Sequence, residues 1–61
     1  MNGRELVKKL EKKGWTVARV SGSHHWMVKE GRRSISVPVH GTKDLPKGLL
    51  HAILREAGLE K

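Results

Sequence analysis

Apolar residues recur in three distinct rhythms along the 61-residue chain. Between residues 3 and 13, Leu6, Val7 and Leu10 form a narrow stripe at helical spacing, with Lys8, Lys9, Lys12 and Lys13 on the other side. Asn2 stands where a helix N-cap belongs, and Glu5 follows at the capping-box distance. Gly14 ends this helix. As its C′ residue it places Trp15 at C″, where the indole can touch Leu10. The rhythm then shortens. "WTVARV" (15–20), "HHWMVK" (24–29) and "SISVPV" (34–39) are rich in β-branched and aromatic residues and read as three strands. "SGS" and "EGRR" supply the turns between them. In the third strand Ile35, Val37 and Val39 alternate with Ser34 and Ser36, and Pro38, which has no N–H, predicts a strand end or an edge. The helical period returns with Leu49, Leu50, Ile53, Leu54 and Ala57, a wide apolar face. Pro46 suits the first turn of this helix. Asp44 and Thr42 are both candidate caps. Gly58 closes it, with Leu59 folding back on Leu54.

The predicted order is α-β-β-β-α: an α+β single small domain over 1–61, with a three-stranded antiparallel sheet and both helices on one face. A chain of this length buries only about 60% of the surface its unfolded form exposes, so a modest core is expected. No apolar run approaches the roughly 20 residues of a membrane helix. The first ten residues carry an acid and lack the apolar stretch of a signal peptide. Together with the absence of cysteine, these features predict a soluble, cytoplasmic protein without disulfides.

Charge sharpens the picture. Thirteen Lys and Arg against six Asp and Glu give a formal net charge of +7. So small a surface with that field attracts polyanions, and nucleic acid is the first candidate. Only two aromatic residues occur, Trp15 and Trp26, fewer than a sequence-tolerant single-strand binder carries. That leaves backbone recognition or cleavage.

Four histidines are the candidates for chemistry: His24, His25, His40 and His51. The ligand spacing of a metal site is missing, since there is no cysteine and no H-x-x-x-H pair, so no metal is expected. Acid/base chemistry needs less. RNA supplies its own nucleophile, the 2′-hydroxyl; an enzyme must take that proton, protonate the leaving 5′-oxygen and offset charge on the phosphate. Imidazoles and cations suffice, with no cofactor. Strand parity puts His24 on one face with Trp26 and Val28, and His25 on the other with Met27 and Lys29. Which of them faces the helices is left open by the pattern. The bland alternatives stand beside these: a His at a strand start is commonly a polar surface residue, His40 is placed to bond a backbone carbonyl, and Lys47, His51 and Arg55 form a stripe that also suits an ordinary solvated helix face. Arg32 and Arg33 in the second turn could grip phosphate bidentately. Gly48, a weak helix former in the first turn, could allow close approach of another backbone.

"GSHHW", "VPVH" and "LPKGLLHAILREAGL", in that order and spanning nearly the whole chain, resemble the HicA family of toxins. The resemblance implies a small ribonuclease that cleaves mRNA and stops translation, on a fold like the double-stranded-RNA-binding domain. It places the catalytic histidine in Gly22-Ser23-His24, with His25 as the alternate, and implies a HicB-type antitoxin protein that covers the active site. Beside the resemblance, the expected RNA-binding set is Ser23, Arg32, Arg33, Lys47 and His51, with no membrane and no small-molecule cofactor involved. One departure from ordinary duplex binders is the start of the last helix. It reads Pro46-Lys47-Gly48 and carries one lysine instead of a cluster. The alternative function is a non-catalytic basic RNA-binding module of the same fold.

Overall fold

A computed structural model describes residues 1–60. The element order is α1 (Gly3–Lys12), β1 (Thr16–Ser21), β2 (His24–Val28), β3 (Ile35–Pro38) and α2 (Lys47–Glu56). The strands form one antiparallel sheet in the order β1-β2-β3. Each predicted strand is present: β1 is shifted by one residue, β2 is shorter by one and β3 by two. Pro38 is the last residue of β3, which is also an edge strand.

The helix ends follow the local signals. Asn2 Oδ1 accepts from the Glu5 N–H at 2.8 Å, and the Asn2 N–H donates to Glu5 Oε1 at 2.9 Å, a reciprocal capping box. Both C-termini are Schellman motifs. The Trp15 N–H reaches Leu10 O (3.0 Å) past Gly14, and the Leu59 N–H reaches Leu54 O (2.9 Å) past Gly58. Each motif needs a left-handed residue, and these two glycines have φ of 96° and 76°. The start of α2 differs from expectation. Pro46 itself is the N-cap, and no side chain caps the helix. Asp44 instead pairs with Asn2 in an isolated antiparallel bridge, and its carboxylate lies 3.6 Å from the Met1 ammonium. Neither Asp44 nor Thr42 caps α2, because the loop bearing them is held against the entrance to α1. Thus Leu45 N–H donates to Met1 O at 2.9 Å.

One apolar cluster joins the layers. Leu6, Val7 and Leu10 of α1 meet Met27, Ile35 and Val37 of the sheet, with Ile53 and Leu54 of α2 and its C-cap Ala57. All three buried strand residues lie on one sheet face, so both helices cover that face and the other is bare. Trp15 and Leu45 close the ends of the cluster. Leu49, expected on the apolar face of α2, is 39% exposed instead. At Gly3 the first turn of α1 sits directly on the end of β3. A Cβ there would collide with the Pro38 carbonyl oxygen and fall 2.9 Å from Val39 Cα. Gly48 shows the opposite: among the described residues beyond its own stretch of helix, no heavy atom lies within 4 Å of a Cβ built there. It admits no neighbouring backbone within the chain.

Candidate functional site

The first hairpin has a two-residue loop, Gly22-Ser23, between the paired Ser21 and His24. Gly22 has φ 59°, and among the described residues only glycines have positive φ, so Ser23 does not, the arrangement of a II′ turn. The turn fixes register, and register fixes which face each histidine takes. His25 pairs with Val37, and Met27 with Ile35. Val37 and Met27 are fully buried, so His25 lies on the helix-covered face. It is half-buried, and its Nδ1 is inaccessible and without a hydrogen-bond partner. His24 takes the bare face with Trp26. It is exposed, pairs with Pro38, and its Nδ1 lies 3.1 Å from Ser36 Oγ.

A β-bulge adds to this face. Val17 pairs with Met27, yet Arg19, two residues on, pairs with Trp26, so Ala18 is the extra residue. Strict alternation would put Arg19 on the inner face beside Val17. The bulge turns it outward, and its guanidinium carbon lies 6.0 Å from the Trp26 ring centre, at cation–π range.

The ladder between β2 and β3 continues past Pro38, where the Val39 N–H donates to Ser23 O at 2.6 Å. His40 follows, exposed, at the same end of the sheet as His24. Beside it opens a cleft of about 260 Å³ lined by Pro38, His40, Lys43, Pro46 and Leu49, among others. The cleft joins the end of β3 to the start of α2, so Lys47 is at the His24 end as well. Gly3 against Val39 brings the start of α1 there too. The positive ends of both helix dipoles therefore face this end of the sheet. The first turn of α2 has no side-chain cap and no acidic residue.

The other expected residues are placed elsewhere. Arg32 and Arg33 lie in the β2–β3 connection, at the opposite end of β2 from His24. Four rises of about 3.4 Å separate the ends of β2. The Arg32 guanidinium occupies the space next to Gly58, 2.6 Å from where a Cβ would stand. It therefore sits against the negative end of α2. Lys29 does the same for α1, donating from Nζ to Lys13 O at 2.8 Å. His51 is exposed on α2, and its Nδ1 is 2.8 Å from both carboxylate oxygens of Glu60. Sequence reasoning missed Ser36 and Arg19. The alternation of "SISVPV" carried a signal for Ser36, whose parity matches Pro38; nothing in the sequence marked the bulge. Among the described residues, no three His, Cys, Asp or Glu side chains come together as metal ligands. None of the described helices is long and apolar enough to cross a membrane.

Fold and site together define a small, strongly basic α-β-β-β-α domain with a histidine on its uncovered sheet face. The family described as the HicA toxin of bacterial toxin–antitoxin systems matches residues 3–59, and the chain belongs to that family. Its class is thereby a toxin of a toxin–antitoxin pair, and the family implies a cognate antitoxin as partner. A search among curated proteins found no match.

Proposed function

We propose that this HicA-family toxin is a metal-independent endoribonuclease that cleaves mRNA through His24 and the RNA 2′-hydroxyl. One observation carries the reading: His24 is exposed on the bare sheet face with Nδ1 3.1 Å from Ser36 Oγ. A hydroxyl both donates and accepts, so Ser36 would orient the ring in either protonation state and leave Nε2 for the substrate. In the reaction His24 takes the proton from the 2′-oxygen, which attacks the adjacent phosphorus. The bond to the 5′-oxygen breaks, that oxygen is protonated, and the products are a 2′,3′-cyclic phosphate and a free 5′-hydroxyl. His40, at the same end of the sheet, is suited to supply the second proton. His25, half-buried between Val20 and Val37, is poorly placed to meet a macromolecule.

Lys47 and Ser23 flank the same end and would hold the scissile phosphate, helped by the uncapped start of α2. Arg32 and Arg33, at the far end of β2, would hold phosphates further along the strand. His51 would join them only when released from Glu60. The HicB-type antitoxin would act by covering the His24 end. The chain would work in the cytoplasm, where mRNA is available.

The test is purified protein incubated with a long RNA. Wild-type protein should shorten it, in the presence of a chelator as well as without, and leave cyclic phosphate ends. His24→Ala should lose cleavage by at least about 100-fold, the scale of a lost acid/base group, with an unchanged circular dichroism spectrum. Full cleavage by that variant would transfer the role to His25 or end the proposal. Salt-dependent binding with no scission by the wild type would identify a non-catalytic RNA-binding module.

A further inference from the structure

The bare sheet face carries a second feature beyond the His24–Ser36 pair. Trp26 is half-buried in the middle of β2, on the same face as His24 and two residues along the strand, a spacing of about 6.8 Å. Its cross-strand partners on either side are Arg19 and Ser36. Arg19 reaches this face only because of the bulge at Ala18, and its guanidinium lies over the indole. The other outward residues of the ladder are Thr16, Ser21, Val28 and Pro38, and no carboxylate is among them. An indole and a planar cation, adjoining an imidazole on a face without negative charge, match the chemistry of a nucleobase attached to a phosphate. Aromatic rings and guanidinium planes are the surfaces on which unpaired bases stack.

We infer that Trp26 and Arg19 form a stacking site for one unpaired RNA base, next to the phosphate at His24. The inference rests on the proposed ribonuclease reading and deepens it by naming the substrate class. The base beside the cut must be unstacked from its neighbours, so single-stranded RNA is bound and the interior of a duplex is not. One platform holds one base, which accords with a chain that has only two tryptophans, of which Trp15 is buried and out of reach. Trp26 acts here as a binding and specificity residue and Arg19 as its partner; neither moves a proton.

The experiment is fluorescence titration of the full chain with a short single-stranded 2′-O-methyl RNA, which cannot be cleaved because its nucleophile is blocked. Trp15 is buried, so quenching on binding reports Trp26. Single-stranded RNA should quench, while a blunt duplex of the same length should not. Replacing individual bases in turn by abasic sites should weaken binding about five-fold or more at one position. Trp26→Leu should lose both the quench and the preference for base over abasic site, and a thermal melt checks that it folds. If that variant fails to fold, the abasic series on the wild-type protein decides alone. Equal affinity at every abasic position, or no quench by single strands, overturns the inference. Quenching by the antitoxin but not by RNA also overturns it and assigns the face to the protein partner. Retention of the quench with failure of cleavage by the wild type would sink the nuclease reading and leave the stacking site standing.

Discussion

His24 and Ser36, twelve residues apart in sequence, meet across β2 and β3 with Nδ1 3.1 Å from Oγ. They are not direct cross-strand partners. His24 pairs with Pro38 and Ser36 with Trp26, so the contact is diagonal across the bare face of the sheet. The ring is thereby held through Nδ1, which leaves Nε2 as its second ring nitrogen.

If Ser36 positions the ring, its removal should slow chemistry and spare binding. One hydrogen bond of net worth about 0.5–1.5 kcal/mol converts to about a two- to twelve-fold fall in kcat. Ser36→Ala should show that fall with KM nearly unchanged, and Ser36→Thr should restore most of the rate. A purely structural serine would lower the melting temperature instead and leave kcat of the folded fraction intact.

Gly3→Ala tests the seat of α1 on β3. The added methyl collides with backbone at Pro38 and Val39, and backbone cannot swing aside as a side-chain tip does. Overpacking costs about 1–3 kcal/mol, against which the better helix propensity of alanine returns up to about 1 kcal/mol. A backbone collision belongs at the upper end of the overpacking range, so the net loss of about 1–2 kcal/mol should lower the melting temperature by about 4–16 °C in a domain of this size. Gly48→Ala, where the space is open, should raise it. A Gly3→Ala protein as stable as wild type would show that the helix entry is not held where it is described.

Lys47 and Arg32 should separate when replaced. Affinity for non-cleavable single-stranded RNA should fall as salt rises, by about 0.7 in log–log slope for each phosphate contacted. Lys47→Ala should reduce that slope by about one contact and leave stability alone. Arg32→Ala should reduce the slope as well, as a phosphate contact does, and in addition lower stability by about 0.3–1 kcal/mol, because its guanidinium sits at the negative end of α2. Matched melts and salt titrations on the two variants decide it. An unchanged slope for Lys47→Ala would remove that residue from the RNA-binding set.

Much of the fold could be read directly from the chain. The capping box at Asn2 and Glu5, and the endings at Gly14 and Gly58, are set by residues within a few positions of one another. Strand parity separated His24 from His25 for the same reason. The start of α2 was less legible. Asp44 and Thr42 have cap chemistry, but a long-range bridge to Asn2 takes Asp44. The candidate site residues were legible one by one but not as a set: His24 and Lys47 share one end of the sheet, whereas Arg32 and Arg33 belong to the other.

The sequence by itself determined the order of elements, their ends and the excess of positive charge, because periodicity, capping and composition act over one or two turns of chain. Only the tertiary structure decided that His24 is on the bare face and His25 under the helices, because parity gives two faces but no label for either. The label comes from where α1 and α2 bury their apolar sides, against Met27, Ile35 and Val37. It also decided the diagonal contact with Ser36 and the outward turn of Arg19. Those depend on the pairing register and on one extra residue at Ala18, which local preferences do not specify.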